Sequence, residues 1–277
     1  MRALDLFSGA AGGWSLGLHR AGYRTVAAAE SDPWRRAAFL HNNPGVEMFD
    51  DVRAVTARSL RERLGCLPEI VVGSPPCQDI SAANHRATGV DGERSGLFFE
   101  AVRIIGEVRP VWFALENSPR LRTLGYDRVA DELEATGYAC EPLVVGADDV
   151  LSPHRRDRVW VVGYRPDTHG EGQSGGALDG EMARLVGTPR YAYRERLAVG
   201  QGFASDACAK LAAIVRAVGT IGAAFGAGPA GHFRVADGVS DRLARECIAA
   251  YGDAVLPQIP EAIGRVMARL VPWSAAA

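Results

Sequence analysis

"ALDLFSGAAGGWSLGLHRAG", Ala3 to Gly22, joins two periodicities through one glycine-rich turn. "ALDLF" is a short apolar run, too short for a helix and suited to a buried strand. "GGWSLGLHRAG" then spaces Trp14, Leu16, Leu18 and Ala21 at helical intervals and stops at Gly22. The succession repeats. "YRTVAAAE" reads as a second strand ending on Glu30, and "DPWRRAAFLHNN" opens a helix with Asp32 as N-cap and Pro33 at the first helical position. "EIVVGS" and "VWFALEN" are further strands around the amphipathic "SGLFFEAVRIIGEVRP". A helix follows near Tyr126–Gly137, then "YACEPLVVGA" and "RVWVVGY" as late strands.

Strands alternating with helices predict an α/β fold, a parallel sheet with helices on both faces. In such sheets ligands bind beyond the carboxyl ends of the strands. Phe7–Gly13, Glu30, Gly73–Gln78 and Glu116–Asn117 all fall at those ends. After Tyr164 the chain becomes rich in Gly, Ala and Ser, before helical patterns resume near Val239. The expected organisation is therefore a catalytic and cofactor-binding domain at 1–165, a small region at 166–235, and C-terminal helices at 236–277 that return to the first domain.

Bulk properties narrow the function. With 277 residues, 47% apolar, the chain can bury a sizeable core. A net charge of −2 means that any nucleic-acid site is a local patch. No apolar run approaches a membrane span, and Asp5 interrupts the opening run, so no signal peptide is expected. Five cysteines, an odd number without a CxxC pair, argue against a disulfide framework or a zinc site and fit a reducing, cytoplasmic setting. No metal site is expected. Lys210 is the sole lysine among 31 basic residues, a compositional bias without functional meaning.

Four stretches carry chemistry. The turn "DLFSGAAGG" lets a ligand approach the backbone, and Glu30 is placed to accept from ribose hydroxyls. A tight strand-to-helix connection would explain the glycines alone; Glu30 tips the reading toward a nucleoside cofactor. No P-loop spacing is present. In "GSPPCQDIS" the thiol of Cys77 follows two prolines that stiffen the turn, a setting for a nucleophile more than for a buried cysteine. In "ALENSP", Glu116 ends an apolar strand, where a desolvated carboxyl can hold a proton; a helix-capping acid is the plainer alternative. In "SPHRRDRVWVVG", Arg156 and Arg158 alternate and would project one way from a strand, a pair suited to oxygen ligands.

In this order, the stretches resemble the cytosine carbon-5 DNA methyltransferase family of phage and bacterial type. The likeness is dense over residues 3–163 and resumes at 237–270. "DLFSGAAGG" resembles the family's S-adenosylmethionine loop, "GSPPCQDIS" its Pro-Cys-Gln motif, "ALENS" its Glu-Asn motif, "HRRDR" its Gln-x-Arg-x-Arg motif, and "YGDAVLPQIPEAIG" its closing Gly-Asn-x-Val motif. The resemblance implies a Rossmann-like, S-adenosylmethionine-dependent methyltransferase with a small target-recognition region. It implies that Cys77 attacks carbon-6 of a flipped cytosine, that Glu116 holds ring nitrogen 3, that Arg158 and Arg156 bind and support the base, and that Asn117 braces the pocket. It also assigns Phe7, Ser8, Gly9, Ala10, Gly13, Glu30, Ser31, Asp51, Val52, Pro75, Ala254 and Val255 to the cofactor.

By the same likeness, Gln78, Ser81, His85, Arg86 and Arg94 would face DNA, the last three from a loop at 82–94 that closes over it. Double-stranded DNA is the implied partner, with a cognate restriction endonuclease as a further one; a monomer without membrane association is expected. There are departures. The cofactor loop is one residue longer than usual, His154 stands where Gln is usual, and Asp253 replaces the usual Asn. "QGF" at Gln201–Phe203 resembles a ninth motif at an unusual distance from Gly252. Two alternatives stand beside this reading: a tRNA cytosine-5 methyltransferase and a catalytically silent nucleic-acid-binding homologue.

Overall fold

The computed structural model describes residues 1–76, 96–123, 125–147, 150, 152, 156–165 and 241–270. The expected region at 166–235 lies outside them, as do Cys77, Gln78, Ser81, His85, Arg86 and Arg94.

Seven strands form one sheet. They are β1 (Arg2–Leu6), β2 (Arg24–Ala29), β3 (Glu47–Phe49), β4 (Ile70–Gly73), β5 (Trp112–Asn117), β6 (Ala139–Val145) and β7 (Arg158–Tyr164), in the spatial order β3-β2-β1-β4-β5-β7-β6. The first five run parallel, as expected. The last two correct the expectation of a wholly parallel sheet: β7 is antiparallel to both β5 and β6 and lies between them. A helical crossover carries the chain past the open position beside β5. The next strand in the chain, β7, then runs back antiparallel to β6 and fills that position.

The helices are α1 (Gly13–Arg20), α2 (Pro33–Asn42), α3 (Ala57–Leu64), α4 (Gly96–Val108), α5 (Tyr126–Ala135), α6 (Asp241–Asp253) and α7 (Gln258–Leu270). Local chemistry starts and stops them. Asp32 caps α2, its carboxylate accepting from Arg35 N–H, with Pro33 following it. Thr56 and Ser59 cap α3 reciprocally, and Gly65 ends it in a left-handed conformation. Neither α3 nor the three-residue β3 is prominent in the sequence pattern.

Strand alternation splits the core in two. Leu4, Leu6, Val71, Phe113, Leu115, Val159 and Val161 face α3, α4 and α5. Ala3, Ile70, Val72, Trp112, Ala114, Trp160 and Val162 face α1 and α7. Burying each large apolar side chain stabilises the fold by roughly 1.5–3 kcal/mol. The predicted helical stripe of α1 needs one correction: Trp14 and Leu18 are buried, but Leu16 stands in solvent.

The chain's last helices return to its start. Tyr23 donates its hydroxyl to the Gly264 carbonyl at 2.8 Å, and α7 packs along α1. This packing is close enough to need glycine. A Cβ on Gly13 would lie 2.1 Å from the Val255 carbonyl oxygen, and one on Gly17 2.4 Å from that of Pro257.

Candidate active site

The carboxyl ends of β1, β2, β4 and β5 converge on one cavity of about 540 Å³, a size that suits a small-molecule ligand. Phe7 turns the chain out of β1 with φ 55°, and Gly9 follows at φ 62°. A non-glycine residue in this region costs about 1 kcal/mol or more, and such residues cluster at functional sites. The turn presents Gly9 N–H to Glu30 Oε2 at 3.0 Å, while Asp32 N–H donates to Glu30 Oε1 at 2.9 Å. Each carboxylate oxygen of Glu30 is thus fixed by one backbone donor and keeps a lone pair for a ligand.

Phe7, Gly9, Glu30, Ser31, Asp51, Val52 and Pro75 line this cavity. Asp51 also caps the short 3-10 turn at Val52–Ala54, accepting from Arg53 N–H at 2.9 Å. Ser8, Ala10, Gly13, Ala254 and Val255 line a narrow recess beside it, bounded by the glycine-rich turn and the segment after α6. Every cofactor residue assigned from the sequence therefore falls on the cavity or on that recess. Ser8 Oγ is buried there without a hydrogen-bond partner among the described residues.

Glu116 closes the cavity from the end of β5 and is only 8% exposed. Arg158 Nε approaches its Oε1 at 2.9 Å. Burial pushes the Glu116 carboxyl above the ordinary carboxylate range; the positive charge of Arg158, a hydrogen bond from Ser74 and the charge of Arg156 pull the other way, while Asp253 adds to the rise. Desolvation wins, so the group retains its proton to higher pH than a free glutamate. Arg156 reaches the same cavity from the segment ahead of β7, which begins only at Arg158, so the two arginines do not share a strand face.

Asn117 joins the two motifs flanking the cavity. Its Nδ2 donates to the Pro75 carbonyl at 3.2 Å, and its Oδ1 accepts from Ser118 N–H at 2.8 Å. The amide thus bridges the end of β5 and the Pro75–Pro76 segment. Cys77 is the next residue in the chain and lies outside the described residues.

The sequence reading gave Arg35 and Ser74 no role of their own, and Asp253 figured in it only as a departure from the usual Asn. Arg35 and Asp253 both line the cavity and the recess, paired at 2.7 Å. Ser74 lines both as well and accepts from Trp14 Nε1–H at 3.1 Å. Capping and strand-end position placed their neighbours, but their partners lie too far along the chain for any local pattern to show.

A model of the family described as C-5 cytosine-specific DNA methylase matches residues 1–192. The type II methyltransferase M.DdeI of Desulfomicrobium norvegicum is 31% identical over 175 residues, 60% of this chain and 41% of that protein. M2.BsuMI of Bacillus subtilis, also a type II methyltransferase, is 35% identical over 167 residues, 57% and 41% of the two chains. Among solved structures, an E. coli prophage-encoded protein described as a DNA modification methyltransferase superposes with a TM-score of 0.53 at 26% identity, covering 69% of this chain and 56% of its own. The chain spans about half the length, or less, of these relatives.

Proposed function

Because this chain belongs to the C-5 cytosine-specific DNA methylase family, we propose that it transfers a methyl group from S-adenosylmethionine to carbon-5 of cytosine in double-stranded DNA. The observation that carries the reading is Glu116: a buried carboxyl that favours its neutral form, held by Arg158, on the wall of the cavity that Glu30 and the glycine-rich turn define.

The residues fit the cofactor. Glu30 offers one free lone pair on each oxygen for ribose hydroxyls, Asp51 offers a carboxylate further along the same wall, and Ser8 Oγ, without a partner among the described residues, sits at the recess. When bound, S-adenosylmethionine supplies an electrophilic methyl group.

This chain's residues do the rest. The cytosine is flipped from the stack into the cavity. The Cys77 thiolate bonds to carbon-6 while neutral Glu116 hands a proton to ring nitrogen 3, so charge does not accumulate on the ring. Arg158 holds the exocyclic oxygen, with Arg156 beside it. Carbon-5 takes the methyl group while nitrogen 3 returns its proton to Glu116; transfer of the carbon-5 proton to water then re-forms the double bond and expels the Cys77 thiolate. Asn117 ties the Pro75–Pro76 segment, which leads into the nucleophile, to the strand that carries Glu116. Region 166–235, with the loop at 82–94 carrying His85, Arg86 and Arg94, selects the sequence, and Gln78 and Ser81 meet the DNA. The protein acts as a cytoplasmic monomer, and a cognate restriction endonuclease is its natural counterpart.

The test is methyl transfer from labelled S-adenosylmethionine to mixed-sequence duplex DNA, with tRNA as competitor and Cys77→Ala as control. Label on duplex cytosine, absent from the variant, supports the proposal. Label on tRNA alone replaces it with the tRNA reading. Cofactor binding without transfer to either replaces it with the silent homologue.

A further inference from the structure

Glu116 can serve the base only if its acidic proton points at the cavity, and nothing in a lone carboxyl group ensures that. The sheet supplies a candidate. Gly73 of β4 stands opposite Leu115 of β5, so the next residues, Ser74 and Glu116, are neighbours in register on the same face. That face is the one on which Val72, Ala114 and Trp160 meet Trp14. Trp14 is 2% exposed and packs edge-on against Trp160 with ring centroids 5.2 Å apart, which fixes its indole.

An indole N–H donates and cannot accept. At 3.1 Å from Ser74 Oγ, Trp14 Nε1 therefore makes the serine oxygen an acceptor and leaves its hydroxyl hydrogen to be given elsewhere. The recipient in reach is the Glu116 carboxyl, its register neighbour on the same face and on the same cavity wall. Arg158, on Glu116 Oε1, is likewise a donor with no acceptor. With Ser74 turned to Glu116, two donors converge on the carboxyl group, and neither is free to absorb its proton.

We propose that Ser74 is a positioning residue: held as an acceptor by Trp14, it donates to Glu116 and leaves the acid's own O–H to be directed at a base in the cavity. The inference deepens the proposed function and takes its substrate from that reading. Without the Trp14 N–H, Ser74 can rotate and accept the Glu116 proton itself, so the acid is spent within the protein. Without the Ser74 hydroxyl, the ionised carboxylate loses a donor and the neutral form gains ground.

The decisive experiment follows Glu116 itself. Protein carrying 13C at the glutamate carboxyl carbon is titrated by NMR, with Glu116→Gln to assign the resonance, in wild type, Ser74→Ala, Ser74→Thr and Trp14→Phe. Ser74→Ala should move the midpoint up by about one pH unit, the scale of one hydrogen bond to a charged group. Ser74→Thr, which keeps the hydroxyl, should restore it. Trp14→Phe keeps a ring against Trp160 and should shift it upward by less. A midpoint in Ser74→Ala that coincides with wild type overturns the proposal. The titration needs no turnover, so its result stands whether or not methyl transfer to DNA is observed; failure of that transfer bears on the proposed function alone. With turnover in hand, the alkaline limb of kcat/KM should move in step with the NMR midpoint.

Discussion

Arg35 Nη2 donates to Asp253 Oδ2 at 2.7 Å, joining the first turn of α2 to the end of α6 across 218 residues. The pair spans the mouths of both the cavity and the recess. Its side chains are 26% and 64% exposed, so solvent screens it and its stabilising worth is at most about 1 kcal/mol. A double-mutant cycle of Arg35→Ala and Asp253→Asn should give a coupling energy below that figure in urea unfolding. The same Asp253→Asn change should lower the Glu116 titration midpoint, because Asp253 is one of the groups that raise it. A coupling of several kcal/mol would mean that the pair is a structural clasp.

Replacing Glu116 with Gln removes the proposed proton donor and keeps the shape. Methyl transfer should fall by about 100- to 10,000-fold, the range for loss of one general acid. Stability above neutral pH should not fall, since a buried group that resists ionisation is exchanged for a neutral one. Turnover and thermal unfolding measured on one sample check both halves. A variant that is both inactive and markedly less stable would make Glu116 structural.

Where physics is local, the sequence was readable. The β1 turn, the end of β2 at Glu30 and the end of β5 at Glu116 follow from apolar runs that stop at special residues, and all three stand on the cavity. Helix α2 was readable from Asp32 and Pro33. The three-residue β3 was not, since three residues carry no period. Helix α3 hid because its capping partner is Ser59, where Glu or Gln is the usual signal. The place of β7 between β5 and β6 is a fact of chain order in space, to which no local pattern speaks. Arg35, Ser74 and Trp14 owe their roles to partners 218, 42 and 60 residues away.

Two glycines of the turn after β1 should fail for different reasons. Ala at Gly13 would drive a methyl group into the Val255 carbonyl, a backbone atom that cannot swing aside. It should destabilise the fold by about 1–3 kcal/mol, as overpacking does. Ala at Gly9 meets nothing within 4 Å but must hold φ near 62°, a strain of roughly 1–2 kcal/mol. Gly9→Asn, which tolerates that conformation, should recover much of the loss, whereas Gly13→Asn should be worse than Gly13→Ala. Urea midpoints of the four variants separate the two causes.

Asp5 makes stability depend on pH. It is wholly buried on β1, where Ser15 Oγ donates to Oδ2 at 2.7 Å and Oδ1 has no partner among the described residues. Burial lifts its pKa from 3.8 to about 7, against the Ser15 hydrogen bonds. A carboxyl with a raised folded-state pKa binds its proton more tightly in the native state than in the unfolded one. Its favourable contribution is therefore complete below about pH 4 and is lost as pH rises to about 7. At about 1.4 kcal/mol per pH unit, the loss is at most on the order of 4 kcal/mol. Glu116 acts in the same direction, and Glu69, whose pKa is lowered beside Arg2, acts in the opposite one. Asp5→Asn should lose a pH-independent 1–3 kcal/mol or so, because its amide hydrogens lack an acceptor. Its stability should nevertheless decline less steeply than that of wild type between pH 4 and 7, and Asp5→Asn with Glu116→Gln should decline less still. Parallel curves for wild type and Asp5→Asn in chemical unfolding across that window would show that Asp5 titrates normally.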